Sequence, residues 1–315
     1  MASLVLAISP FEQLSYANDT AAEIAGGGIQ FKGEKNISIE KEELFISQKR
    51  VEVNYLFRNH SKTDIVTEIA FPIPQYEYNF DSVIPDFDDF MVEVNGRKVE
   101  YRKDIRALAG GKDYSKLLER MNVSISDLGK FDPAKKPYYI SKLSEKDKAT
   151  LIKLRIADTT PEVGWPLWSV SMKYHWTQKF PANQTISIRH TYTPYCGYKP
   201  IENDVKNNET ALFLKETCID KSTLEWIEAN NVVQRDNYFY PQWVSYILIT
   251  ANNWRKPIKS FHLTVDNSEN ERSSFCFDHK ITKSSPTRHE VYVRDYVPSR
   301  NLKVYFFQNR ANTRN

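Results

Sequence analysis

Catalytic signatures are what this chain lacks most plainly. No Gly-x-Ser-x-Gly elbow, no His-Glu-x-x-His zinc motif and no EF-hand loop occurs anywhere in its 315 residues. Gly26-Gly27-Gly28 and Gly110-Gly111-Lys112 lack the spacing that lets backbone amides cradle a phosphate ahead of a helix, so both read as turns. Its 43 Lys and Arg nearly balance its 40 Asp and Glu, and that balance excludes the strong basic field of a nucleic-acid binder. No run approaches the roughly 20 consecutive apolar residues of a membrane-spanning helix; Tyr246 to Ala251 is a typical short one. Glycine is scarce, at 10 residues, which argues against flexible linkers. None of the three cysteines sits in a Cys-x-x-Cys pair, so thiol exchange and zinc ligation are not expected. No cofactor is expected either.

Aromatic residues, at 13%, and 15 prolines favour strands and tight turns. Val51, Val53, Tyr55 and Phe57 alternate with polar or smaller residues, and after the turn chemistry of Asn59 to Asp64 an apolar run resumes at Ile65 to Phe71, predicting a β-hairpin. A second hairpin is predicted around Asn95-Gly96, the preferred pair for a two-residue turn. Alternation from Trp168 to Trp176 and from Ile186 to Tyr192 predicts two strands facing one core, with His190 pointing inward. Capping boxes at Ser124/Asp127 and Ser144/Asp147, with Leu117, Leu118 and Met121 at helical spacing, predict a helical insertion over Asp104 to Ala157. Ser222 and Glu225 predict one more helix start. Strands return from Tyr238 onward.

The fold class expected is mostly β (α+β), two antiparallel β-sandwich-like units with helical insertions. An apolar Leu4 to Ile8 followed by the small-x-small pattern of Ser15, Tyr16 and Ala17 predicts a signal peptide over residues 1–17. An N-terminal sandwich domain over 18–200, with its insertion near 104–157, and a C-terminal domain over 201–315, helix then antiparallel sheet, complete the expected organisation. Three cysteines in an exported chain suggest one bridge and one spare thiol, with three pairings open on spacing alone.

Several stretches carry a family resemblance. Asn18-Asp19-Thr20, Ala22-Glu23, Gly26-Gly27-Gly28, Leu44-Phe45-Ile46-Ser47, Phe71-Pro72-Ile73-Pro74, His190-Thr191-Tyr192, Cys218-Ile219-Asp220, Asn253-Trp254 and Ser274-Phe275-Cys276 resemble the exported bacterial family known as domain of unknown function DUF4424. The resemblance implies export to the periplasm or the medium, and it implies a Cys218–Cys276 bridge, because those two match family positions while Cys196 does not. It brings no reaction. Some exoproteins of intracellular pathogens in that family leave the periplasm by type II secretion, so a secreted effector acting on host cells is one implied alternative. The strands ending in Phe71-Pro72-Ile73-Pro74 are also similar to the N-terminal domain of inter-alpha-trypsin-inhibitor heavy chains.

Candidate functional residues follow. Trp165, Trp168, Tyr240 and Trp243 could present flat faces to sugars or anchor a protein partner. Asp86, Asp88 and Asp89 could supply hard oxygen ligands to a metal, or a carboxylate pair to an envelope hydrolase. The leading expectation is a non-enzymatic, monomeric binding or interaction module for a protein or a cell-envelope glycan.

Overall fold

The structure, a computed structural model, describes residues 20–25, 28–77, 88–126, 143–158, 166–202, 208–229 and 238–308. Period-two alternation builds its core. In β4 (Val51–Asn59) every second residue from Val51 to Asn59 is buried, and in β10 (Ser169–Phe180) Val170, Met172, Tyr174, Trp176 and Phe180 are buried. Successive strand side chains point to opposite faces, so each such strand offers one apolar face to a partner layer.

Two large sheets supply the layers. One runs in the order β2 (Gly28–Phe31), β1 (Thr20–Ala25), β5 (Ile65–Glu77), β10, β8 (Arg102–Ala109), β9 (Lys112–Asp113). The other runs β18 (Thr282–Ser285), β19 (Arg288–Tyr296), β16 (Ile258–Asp266), β3 (Ile37–Ile46), β4, β11 (Thr185–Tyr192), β6 (Met91–Val94), β7 (Arg97–Lys98). Their inner faces meet: Phe57 packs edge-on to Phe180 at 5.8 Å, and His190, fully buried, lies 4.9 Å from Phe71 and 5.4 Å from Trp176. The inward His190 and the shared core of β10 and β11 are as expected. A smaller sheet, β12 (Cys196–Tyr198), β15 (Gln242–Tyr246), β20 (Leu302–Gln308), β17 (Glu271–Ser274), closes one end of this core, with Tyr246 donating to or accepting from Tyr55 at 2.9 Å. Beside it α3 (Asn208–Glu216) and α4 (Lys221–Ala229) help to form a small second cluster, in which Ile227 of α4 is buried with Ile201 and with Phe307 of β20. A two-stranded sheet of β13 (Ile201–Glu202) and β14 (Tyr238–Phe239) completes the set. The chain is thus mostly β, with several antiparallel sheets and few helices. No helix of the described residues is long and apolar enough to cross a membrane.

The Asn95-Gly96 hairpin forms, with φ of 51° and 75° at its two central residues. The hairpin expected at Val51 to Phe71 does not. β4 and β5 lie in different sheets, and the link between them is an arch. Asn59 explains the crossing: fully buried, it donates to the carbonyls of Thr63 at 3.0 Å and Phe180 at 2.9 Å and accepts from the Ser61 amide, fastening the turn to the opposite layer.

The expected insertion over 104–157 opens as strand, since β8 fills the free edge of β10 from Arg102 to Leu108 and turns back at Gly110 and Gly111, both at positive φ. Helix is confined there, among the described residues, to α1 (Ser115–Arg120) and α2 (Glu145–Lys153). Ser144 caps α2 and accepts from the Asp147 amide, as its box predicts; Asp127 lies outside the described residues. The helix start predicted at Ser222 falls two residues earlier. Asp220 is the cap of α4, accepting from the Thr223 amide at 2.7 Å and the Ser222 hydroxyl at 2.9 Å.

The eight-stranded sheet also crosses the boundary expected at 200/201. β16 runs parallel to β3 from Phe261/Glu42 to Val265/Ile46, so C-terminal strands extend the sheet begun by the N-terminal part.

Candidate functional site

Among the described residues, the aromatic and acidic side chains singled out from sequence do not gather. Trp168 is 2% exposed within the core and has no free face to offer. Trp165 and Asp86 lie outside the described residues. Tyr240 is half-buried and stacks on Tyr198 with centroids 5.5 Å apart. Trp243 lies against the backbone of Gly197, so closely that a Cβ there would sit 2.1 Å from its ring, while the Lys303 ammonium rests 4.2 Å from its centroid. Both Tyr240 and Trp243 are therefore already engaged within the protein. Asp88 is ion-paired with Lys103 at 2.6 Å, and Asp89 accepts from the amide and hydroxyl of Thr193 at 2.8 and 2.6 Å. They point to different partners and form neither a metal cage nor an acid pair. Among the described residues no group of three or more His, Cys, Asp or Glu side chains could hold a metal ion. Glu52, Asp64, Asp113, Asp220 and Glu290 all titrate below the ordinary carboxylate value, the opposite of what a general acid needs.

What the structure does gather is centred on the disulfide. Cys218 and Cys276 are bridged, with Cα atoms 5.2 Å apart, and Cys196 is the free, buried thiol. Helix α3 ends at Glu216, and the hydroxyl of the next residue, Thr217, donates back to the Phe213 carbonyl at 2.8 Å. Cys218 follows at φ 53°, a left-handed residue that reverses the chain so that Asp220 can cap α4. On the other side of the bridge β17 runs out through Ser273, Ser274 and Phe275, with the Ser274 hydroxyl donating to the Thr217 carbonyl at 2.9 Å.

Between these segments and the β18–β19 hairpin lies a half-enclosed cavity of about 230 Å³. Phe275, Ile281 and Thr223 form its apolar wall, Asp220 and Lys283 stand exposed at its mouth, and Ser273 and His289 lie buried at its floor. Burial would raise the Asp220 carboxyl, but hydrogen bonds from Thr223 and Ser222 and the charge of Lys283 outweigh it and hold the group below its ordinary value. Burial, aided by the Lys283 charge, holds His289 below the usual imidazole value, so the ring is neutral.

The floor is not built for nucleophilic attack. The Ser273 hydroxyl lies 3.3 Å from His289 Nδ1 and is 2% exposed. A serine–histidine relay needs an exposed hydroxyl and a carboxylate orienting the far side of the ring. Here no carboxylate bonds to His289 among the described residues, and the contact serves to satisfy a buried imidazole.

Sequence reasoning missed Ser273, Lys283 and His289, which lie far from Asp220 along the chain. One signal was present. Cys218-Ile219-Asp220 and Ser274-Phe275-Cys276, two stretches that carry the family resemblance, are the two sides of this cavity.

The fold and the cavity define a disulfide-stapled, mostly β protein with a small two-charge pocket and no assembled catalytic centre among the described residues. The chain belongs to the family Domain of unknown function (DUF4424), whose signature covers residues 17–305. No curated protein matches it. Among solved structures it is similar to a Legionella pneumophila protein described as a "putative nutrient binding protein", at 15% identity over 93% of this chain and 72% of that one, with a TM-score of 0.45. It also overlaps an M1 zinc metallopeptidase from Deinococcus radiodurans, at 7% identity over 87% of this chain and 43% of that one (TM-score 0.30), and yeast LTA4 hydrolase, at 9% identity over 86% and 28% (TM-score 0.31). The chain spans less than half the length of either enzyme.

Proposed function

We propose that this protein is an exported, non-enzymatic binding module that takes a single sugar residue of a cell-envelope glycan in the cavity beside the disulfide. The observation that carries this reading is the pairing of a half-buried apolar wall at Ile281 with opposite charges at Asp220 and Lys283 across one small opening. A sugar ring has a CH-rich face suited to such a wall, and its hydroxyls donate to a carboxylate and accept from an ammonium. At about 230 Å³ the space falls below the roughly 300–1,000 Å³ of pockets for larger ligands, which suits one ring. Export is supported by the family and by the disulfide, a bond that persists in oxidising compartments.

The test is calorimetric titration of the full chain with a panel of envelope monosaccharides and their short oligomers. A saturable response is expected for at least one sugar, with affinity about tenfold weaker in Lys283→Gln and in Asp220→Asn, the latter keeping an oxygen to cap α4. No response across the panel, or full affinity in both variants, removes the reading.

A further inference from the structure

A second pocket, remote in sequence from the first, is built where β3 begins. Ser38 is flanked across the sheet by Arg58 of β4 on one side and by Arg255, through an isolated parallel bridge, on the other. Residues paired across a sheet share a face, so both guanidinium groups rise beside the Ser38 hydroxyl. The chain then turns through Lys256 and Pro257 into β16, which adds Lys256 and Lys259 to the same pocket of about 320 Å³. Lys259 is paired with Asp295 at 3.0 Å. Arg58, Arg255 and Lys256 have no ion-pair partner among the described residues.

The floor is ordered to match. Ser38, 3% exposed, gives its one proton to the Glu40 carboxylate, so His60 Nε2, 2.7 Å from the Ser38 hydroxyl oxygen, must donate to it. Four cations therefore converge against two carboxylates, Glu40 and Asp295, which leaves a surplus of two positive charges. Like charges brought together repel, and a pocket that collects them is completed when a ligand supplies the counter-charge. Guanidinium forks match tetrahedral oxyanions with paired hydrogen bonds, and a lysine adds a mobile point charge.

We propose that this pocket binds a phosphoryl or sulfuryl group carried by a small soluble molecule, gripped by Arg58 and Arg255 with Lys256 closing over it. The full chain would be titrated at constant ionic strength with inorganic phosphate, inorganic sulfate and a phosphorylated hexose, and separately with phosphatidylglycerol vesicles. Saturable binding of at least one soluble probe is expected, weakened about tenfold or more in Arg58→Gln and in Arg255→Gln. Both residues lack ion pairs, so these variants should fold as the parent does. Lys49→Gln should bind as the parent, because Lys49 sits in the turn at the other end of β3 and β4, roughly 30 Å away at about 3.3 Å per strand residue. No saturable response to any soluble probe overturns the proposal, as does an affinity unchanged from the parent in both arginine variants, which would mark diffuse screening. Binding confined to the vesicles also overturns it, since the ligand would then be a membrane surface.

Discussion

Replacing Cys218 and Cys276 together by serine should lower the free energy of unfolding by about 4 kcal/mol. The bridge closes a separation of 58 residues. In the chain-entropy treatment a loop of that length removes about 14 cal/mol/K from the unfolded chain, or about 4 kcal/mol at 25 °C. Spread over an unfolding entropy of about 2.1 cal/mol/K per residue, that loss corresponds to a fall in Tm of about 6 °C for the whole chain. The native seam should hold without the bond, because Ser274 still donates to the Thr217 carbonyl and α4 still packs over β17. The variant is therefore expected to fold, with the deficit visible in urea unfolding followed by circular dichroism. Sugar affinity at the cavity should fall with it, since the bond joins the Asp220 side of the opening to the Phe275 side. A loss below about 1 kcal/mol would refute the argument, for it would mean that the unfolded chain already holds these two segments together.

Three further expectations follow from single residues. Gly197→Ala should cost about 1–3 kcal/mol in urea unfolding, because the new methyl would meet the Trp243 ring and that ring is hemmed in by Tyr305 and Lys303; wild-type stability would show that the ring can move aside. The native His289 imidazole resists protonation while the unfolded chain takes up its proton near pH 6.5, so its contribution is complete above that value and is lost as pH falls below it. His289→Gln should flatten the stability curve just below about pH 6.5, and an unchanged slope there would remove the argument. Cys196, 4% exposed, with its thiol pushed up by burial to about 12, should resist alkylation at neutral pH until the protein is unfolded; rapid native labelling would contradict its burial.

The strands were legible because their cause is local. Alternation at Val51 to Phe57 and at Val170 to Trp176 states which side chains face inward, and Asn95-Gly96 states where the chain reverses, since few residues accept positive φ at both turn positions. Which strand lies beside which was not legible. Nothing in Ile65 to Phe71 distinguishes a hairpin partner for β4 from a strand of the opposite layer; the choice is made by Asn59 reaching the Phe180 carbonyl, 121 residues away. The aromatic residues misled for a related reason. A tryptophan that fills a core and one that stacks on a ligand satisfy the same pattern, and only the positions of Gly197 and Lys303 reveal that Trp243 is occupied.

The two candidate pockets share this property, and it bears on how the protein came to lack a recognisable motif. Ser38 meets Arg255 through a bridge between residues more than two hundred positions apart, and the β3–β16 pairing that enforces it is the only parallel pairing among the named strands. Asp220 meets His289 through the disulfide and the return of β19 into the same large sheet. A motif is a short run whose chemistry is complete in itself, whereas each of these pockets assembles its groups from segments far apart in the chain. Their integrity then depends on sheet register: a slip of one residue in β16 would turn Lys259 to the opposite face and carry Phe261 out of the core with it. The register is protected by that coupling, because Phe261 and Leu263 are buried while Lys259 and Ser260 are exposed. Core packing and pocket geometry are thus set by the same strand, and a substitution at Phe261 should disturb the basic pocket without touching any residue that lines it.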